Sequence, residues 1–464
     1  MSAQAAPKGL SDVGLLLAFC SLEAAGFLLA MAFYKYSDRL AFLTIRQGIW
    51  ILAPLAALLA SGAYASRCYL RLRHSGTRRF TFTLATSLLT VAMLLGAGEV
   101  VVRLLSVPTA LGLSFARTLL LPRSWEHVRA RNAELLKNAP SNLAYFVSDT
   151  LLGWTVGPSR RSANGLYLSS TEGIRSPRRG MAYANHPARH RIATVGDSFT
   201  FGLEVPFQDS WGFQLERALG TDFQVLNFGV NGFGVDQAYL RYDRDVRPWH
   251  PVMTIFGFID HDLYRSMSVY SFVTFPDWDV PFSKPRFILR AGQLELLNAP
   301  LIGPSQILAR PAVTELPFIE YDPGYNAAEW AWHSYYSSRL LRFLLSRFPR
   351  LPPVNPEVGD KAQRQINSEL LLTFARLAAA DGTVPLVVYL PSRGDLEGQD
   401  RSAKDKILAA LQQSGVHYLD LTSCIREVGL ENAFIAGRRH YSAEGNAAVA
   451  RCLLPAVRQQ FPSE

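Results

Sequence analysis

The chain has 464 residues, 49% of them apolar and only 18% charged, with a formal net charge of +9. That length predicts two or three units rather than one compact domain, and so little charge points to segments buried in a membrane. The basic balance comes without zinc-finger spacing, a helix-turn-helix signal or an aromatic-interleaved basic stripe, so nucleic acid is excluded as a partner.

Three runs at 13–34, 47–66 and 80–102 have membrane-spanning length. A cleavable signal peptide is the rival reading of the first. Its basic flank is sparse, with Lys8 set against Asp12, and two further runs follow, so three transmembrane helices are predicted within a membrane domain at 1–105. Glu23 falls inside the first run, where a carboxylate is costly; it reads first as a packing residue facing a neighbouring helix, and otherwise as a contact for a transported or lipid-linked group. The loop after the second run carries Arg67, Arg71, Arg73, Arg78 and Arg79 with no acid, whereas the first loop sets Lys35, Arg39 and Arg46 against Asp38. The positive-inside rule then places the second loop and the N-terminus in the cytoplasm, and everything beyond Val102 outside. The basic surface suits anionic lipid headgroups or acidic glycans.

Residues 106–148, with Ser124-Trp125-Glu126-His127-Val128-Arg129 opening a helical stretch, read as a stalk. From 190 onward short apolar runs alternate with helical patterns. Strands are predicted at 191–195, 223–228, 252–257, 385–390 and 417–421, and helices at 211–219, 236–245, 363–381, 404–413 and 443–460. That alternation predicts an α/β three-layer sandwich around a parallel sheet. Between 265 and 361 the pattern breaks into an aromatic-rich insertion holding Tyr270, Phe272, Phe275, Trp278, Phe282, Trp330, Trp332, Tyr335 and Tyr336. It reads equally as a substrate-binding cap or as a satellite core.

The first predicted strand ends in Gly196-Asp197-Ser198-Phe199, which lifts a serine onto the carboxyl rim of the sheet, where ligands of open α/β sheets bind. Three further segments follow in order. Val225-Leu226-Asn227-Phe228-Gly229-Val230-Asn231-Gly232 is a strand and a glycine turn. Thr254-Ile255-Phe256-Gly257 leads into Phe258-Ile259-Asp260-His261-Asp262, and His440-Tyr441-Ser442-Ala443-Glu444-Gly445-Asn446 opens the last helix. Together they resemble the blocks of the SGNH/GDSL hydrolase superfamily over about 149–464, with Gly153-Trp154 and Glu172-Gly173-Ile174-Arg175 similar to the lead-in of a bacterial membrane-anchored branch. The resemblance implies a flavodoxin-like sheet, Ser198 as nucleophile and His440 as base. It also implies an oxyanion held by the N–H groups of Ser198 and Gly232 plus one side chain.

Two positions depart from that pattern. His261 stands where the family has Asn; a neutral imidazole still offers one N–H. Gly437, followed by Arg438 and Arg439, stands where the acid orienting the base is usual. Asp395 and Asp420 lie near predicted strand ends as substitutes, with no basis for choosing between them. The expected function is a membrane-anchored serine esterase cleaving O-acyl esters on cell-envelope glycans or another exported substrate. The alternatives are an O-acyltransferase supplied by a membrane partner protein, and a binding module that has lost catalysis. The expected partners are the ester substrate and membrane lipids, and the expected location is the bacterial inner membrane with the catalytic domain outside. No motif calls for a metal or cofactor. Cys424 and Cys452 fall in the exported part, as a disulfide or as two buried thiols.

Overall fold

The computed structural model describes residues 8–36, 45–72, 77–138, 145–348, 355–398 and 402–461. Residues 37–44 and 73–76, with Arg39 and Arg73 of the two basic loops, lie outside the described residues. The chain forms two units, Met1–Val128 with Asn326–Val354, and Arg129–Tyr325 with Asn355–Glu464.

The first unit begins with helices α1 (Lys8–Tyr36), α2 (Ile45–Leu72) and α3 (Thr77–Leu105). Each contains a stretch long and apolar enough to cross a membrane: Leu17–Tyr36, Gly48–Arg67 and Leu84–Leu105. Glu23 of α1 accepts a hydrogen bond from the Ser87 hydroxyl of α3 at 3.3 Å, a contact with a neighbouring helix.

The stretch expected as a stalk contains regular secondary structure among its described residues. Val107–Thr109 (β1), Gly112–Phe115 (β2) and Thr118–Leu120 (β3) make an antiparallel sheet, followed by helix α4 (Trp125–Asn138). Part of the aromatic insertion also belongs here. The helix Arg339–Arg347 starts where Glu99 of α3 accepts from Ser338 Oγ at 2.8 Å, Arg339 N at 3.0 Å and Leu340 N at 2.8 Å. A carboxylate there satisfies two of the orphan amides of the first helical turn.

The second unit is built on a seven-stranded sheet. Its strands are β6 (Leu168–Ser169), β7 (Arg175–Ser176), β8 (His190–Val195), β9 (Phe223–Asn227), β10 (Met253–Phe258), β13 (Val384–Tyr389) and β14 (Tyr418–Asp420). Their order is β14-β13-β10-β8-β9-β7-β6, the first five parallel and the β9-β7-β6 edge antiparallel. The sheet is therefore the flavodoxin-like one expected. Hairpins β4 (Phe146–Asp149) with β5 (Gly153–Val156), and β11 (Phe287–Arg290) with β12 (Gln293–Leu296), complete the strands.

The central strands read as unbroken apolar runs because both faces are covered. Ala193, Val195, Phe256, Val387 and Tyr389 pack on one side with Leu370, Phe374 and Leu411. Ile192, Val225, Ile255, Leu386 and Val388 pack on the other with Trp211, Leu215, Leu453 and Val457. Alternation along each strand sends successive side chains into the two cores, and because the five strands run parallel they all end on one carboxyl rim. Cys424 and Cys452 are joined as a disulfide, with Cα atoms 6.6 Å apart.

Candidate active site

Strand β8 ends at Val195, and the chain turns through Gly196 at φ 152°. A Cβ there would lie 2.4 Å from the Gly257 carbonyl oxygen and 2.3 Å from Thr200 Oγ1, so the turn admits only glycine. The Asp197 side chain accepts from Phe199 N at 2.8 Å and caps the short helix α5 (Ser198–Phe201). This turn fixes Ser198 at the rim.

His440, in the loop before the final helix Ala443–Gln460, brings its Nε2 to 3.0 Å from Ser198 Oγ. Its Nδ1 lies 2.9 Å from Oε2 of Glu204, a residue not foreseen in this role. A carboxylate at Nδ1 holds the proton there and leaves the Nε2 lone pair facing the serine hydroxyl. Asp395 and Asp420 have other work. Asp395 accepts from Tyr389 OH at 2.8 Å and from Ser392 N at 2.6 Å, while Asp420 pairs with Lys404 at 2.9 Å. The carboxylate missing at Gly437 is thus replaced from the loop that follows Ser198, six residues beyond it.

Glu204 sits at φ 69°, just past Gly202. Buried Arg175, in the lead-in segment, donates to the carbonyls of Phe201, Gly202 and Val205, the last two at 2.6 Å. Tyr167 OH accepts from Glu204 N at 2.9 Å. The fork of one guanidinium across three carbonyls pins the loop. Arg438 lies 3.4 Å from the other Glu204 oxygen and neutralises part of its charge from the solvent side.

Behind Ser198 lies a second polar group. Arg265 Nη1 bridges Asp197 at 2.9 Å and Asp262 at 2.6 Å, and Asp262 also accepts from Ile259 N at 3.0 Å. Burial, and then the neighbouring Asp197 charge, push the Asp262 carboxyl well above its ordinary range.

A cavity of about 540 Å³ opens over Ser198. Phe146, Trp154, Phe199, Ile259, Trp278 and Phe282 line it, together with Gly232, His261, Arg265, Arg393, Arg439 and His440. All four residues expected from the sequence, Ser198, Gly232, His261 and His440, meet on its wall. Gly232 has φ 80°, in the left-handed region that favours glycine, and a Cβ there would only touch Trp154, at 3.4 Å. Trp154 Nε1 donates to Asn231 O at 2.9 Å, which links the lead-in segment to the glycine turn. Burial first, then the charges of Arg265 and Arg439, lower the pKa of His261, so its imidazole is neutral near neutral pH and carries one N–H. Among the described residues no group of three His, Cys, Asp or Glu side chains could hold a metal ion.

The aromatic insertion divides. Trp278 and Phe282 line the cavity, Trp278 stacked on Phe275 with centroids 4.3 Å apart, while Tyr270 and Phe272 are buried in the second unit. Trp330, Trp332, Tyr335 and Tyr336 fall in the first unit.

No family model matches the chain, and no curated protein does. Solved structures similar to it include a member of the lipolytic protein G-D-S-L family from Veillonella parvula DSM 2008, at 11% identity and a TM-score of 0.31, covering 57% of this chain and 97% of that one. A lipase/acylhydrolase from Enterococcus faecalis matches at 12% identity and 0.32, over 59% of this chain and 99% of its own. A catalytic mutant of an acetylxylan esterase from Geobacillus stearothermophilus matches at 12% and 0.32, over 60% and 96%. At TM-scores of this size the likeness decides nothing about the site, whose chemistry follows from its own distances.

Proposed function

We propose that the chain is a membrane-anchored serine hydrolase that cleaves O-acyl carboxylic esters. The observation that carries this reading is His440 seated between Ser198 Oγ and Glu204 Oε2 at 3.0 and 2.9 Å. Ser198 Oγ attacks the acyl carbonyl as its proton passes to His440 Nε2. Glu204 stabilises the imidazolium that forms, and the negative oxygen is received by the N–H groups of Ser198 and Gly232 and by His261. Collapse breaks the ester C–O bond, and His440 returns the proton to the departing alkoxide. Water, deprotonated by the same imidazole, then attacks the acyl-serine; the carboxylic acid leaves and the serine regains its proton.

The complete Ser–His–Glu array weighs against a binding module without catalysis. An acylated envelope glycan suits the cavity, because Trp278 offers aromatic surface for a sugar ring and Arg439 favours acidic groups. The arginine-rich second loop supports a cytoplasmic N-terminus, and the Cys424–Cys452 disulfide supports an oxidising compartment for the catalytic unit. The inner membrane of a bacterium, with catalysis outside, fits both.

The test is labelling with a serine-directed fluorophosphonate beside hydrolysis of p-nitrophenyl acetate by the full chain. Both are expected, and both are expected to vanish in Ser198→Ala; labelling that persists in that variant overturns the assignment. His261→Ala is expected to lower turnover about 10²–10³-fold, the usual cost of one oxyanion donor, with His261→Asn retaining activity. Replacement of water by a glycan hydroxyl as acceptor, read from the products, would convert the same site into an acyltransferase.

A further inference from the structure

The first unit holds a cavity of its own, of about 400 Å³, lined by Arg117, Thr118, Leu121, Arg123, Ser346 and Arg347 among others. Its charge is one-sided. Glu329, also on the wall, is engaged by Arg123 at 2.8 Å. Arg117 and Arg347 have no carboxylate partner among the described residues; Arg347 reaches only Thr118 Oγ1, at 3.5 Å. Arg117, at φ 62°, stands in the tight turn between β2 and β3.

The position of this cavity is set by the membrane helix beside it. The chain leaves the apolar stretch Leu84–Leu105 and reaches Arg117 within one short hairpin. The helix that supplies Arg347 is tied to the same stretch by the Glu99 cap and by Arg103 Nη2, which donates to Ser337 O at 2.8 Å. The far side is pinned by Arg342, whose guanidinium donates to the carbonyls of Leu120 at 3.0 Å and Leu121 at 2.5 Å. On the same returning segment Trp332 is 62% exposed and Tyr335 38% exposed. Exposed Trp and Tyr beside the end of an apolar span mark the headgroup level of a bilayer.

We propose that this cavity binds the phosphate of an anionic membrane lipid, with Arg117 and Arg347 as its phosphate-binding residues. Two unpaired guanidinium groups suit a phosphodiester through paired N–H donors, and the leucine wall suits the glycerol and the start of the acyl chains. A zwitterionic lipid is disfavoured because its ammonium group would enter the same positive field. The site anchors the returning segment to the lipid surface, and it is independent of the chemistry assigned to Ser198.

The probe is phosphatidylglycerol, compared with phosphatidylcholine, on the full chain in neutral detergent, with retained lipid counted by native mass spectrometry. The parent is expected to retain phosphatidylglycerol preferentially. The double substitution Arg117→Gln and Arg347→Gln is expected to weaken that binding about 25-fold, roughly fivefold per arginine, with phosphatidylcholine unchanged. Raising the salt should reduce phosphatidylglycerol retention by the parent itself, a readout that needs no variant. Equal retention of the two lipids by the parent, or salt-insensitive retention, overturns the proposal. So does full displacement of phosphatidylglycerol by millimolar inorganic phosphate, which would make the site one for free phosphate.

Discussion

The two halves of the candidate active site are built on opposite principles. The nucleophile half is buried: Ser198 and Asp197 are each 1% exposed, and Arg265 bridges two carboxylates behind them. The acid–base half faces solvent: the side chains of His440 and Glu204 are 20% and 26% exposed, and Arg438 beyond them is 66% exposed. The first half derives its rigidity from the sheet and from paired charges in a poorly screened interior. The second derives it from one buried guanidinium, Arg175, that grips the backbone of the loop while the side chains stay wet. A catalytic base that cycles between charged and neutral forms gains from that wetness, since water helps solvate the imidazolium. A nucleophile gains from being held still.

That contrast can be broken experimentally. Ser198→Ala should abolish ester turnover, a loss of about 10⁴-fold or more, with the protein still folded. Equal turnover in parent and variant would remove the buried half from the chemistry. Glu204→Gln should come next, about 10³-fold in kcat with little change in KM, because the amide no longer fixes the Nδ1 tautomer or stabilises the imidazolium. Retention of full activity would mean that His440 is oriented by the backbone alone.

Removing the buried cation should damage the fold rather than the chemistry alone. Arg265→Met strands the carboxylates of Asp197 and Asp262, and is expected to cost about 3–5 kcal/mol, read by denaturant melting. Arg438→Ala, on the exposed side, should change stability by less than about 1 kcal/mol. A comparable loss in the two variants would erase the distinction between the halves.

The smallest effect concerns pH. The pKa of His261 is lowered in the folded chain, so the unfolded chain binds a proton first as the medium is acidified. Its contribution to stability is therefore present above the ordinary histidine range and lost as the pH falls toward the folded value. His261→Asn should flatten that segment of the stability curve, and an unchanged curve would show that His261 does not titrate against folding.

The sequence by itself determined the elements whose signal is local. Three apolar runs specify helices of membrane-spanning length, and the runs that end in Gly196 and Gly257 specify parallel strands with a serine and a histidine at their rims. The order of the blocks brought Ser198, Gly232, His261 and His440 to one cavity because the carboxyl ends of parallel strands share an edge. Tertiary structure alone decided the rest. Glu204 lies 236 positions from His440, and nothing in its neighbourhood distinguishes it from other exposed acids; only the Arg175 grip on residues 201–205 turns it toward the imidazole. Asp395, in the loop after a central strand, is drawn instead to the Tyr389 hydroxyl and the Ser392 amide. The aromatic insertion was likewise divided by packing, with Trp278 at the cavity over Ser198 and Trp332 in the first unit. Periodicity and chain order are written along the sequence. The partner of a given side chain is chosen in space, by whichever unpaired donor or acceptor burial leaves within reach.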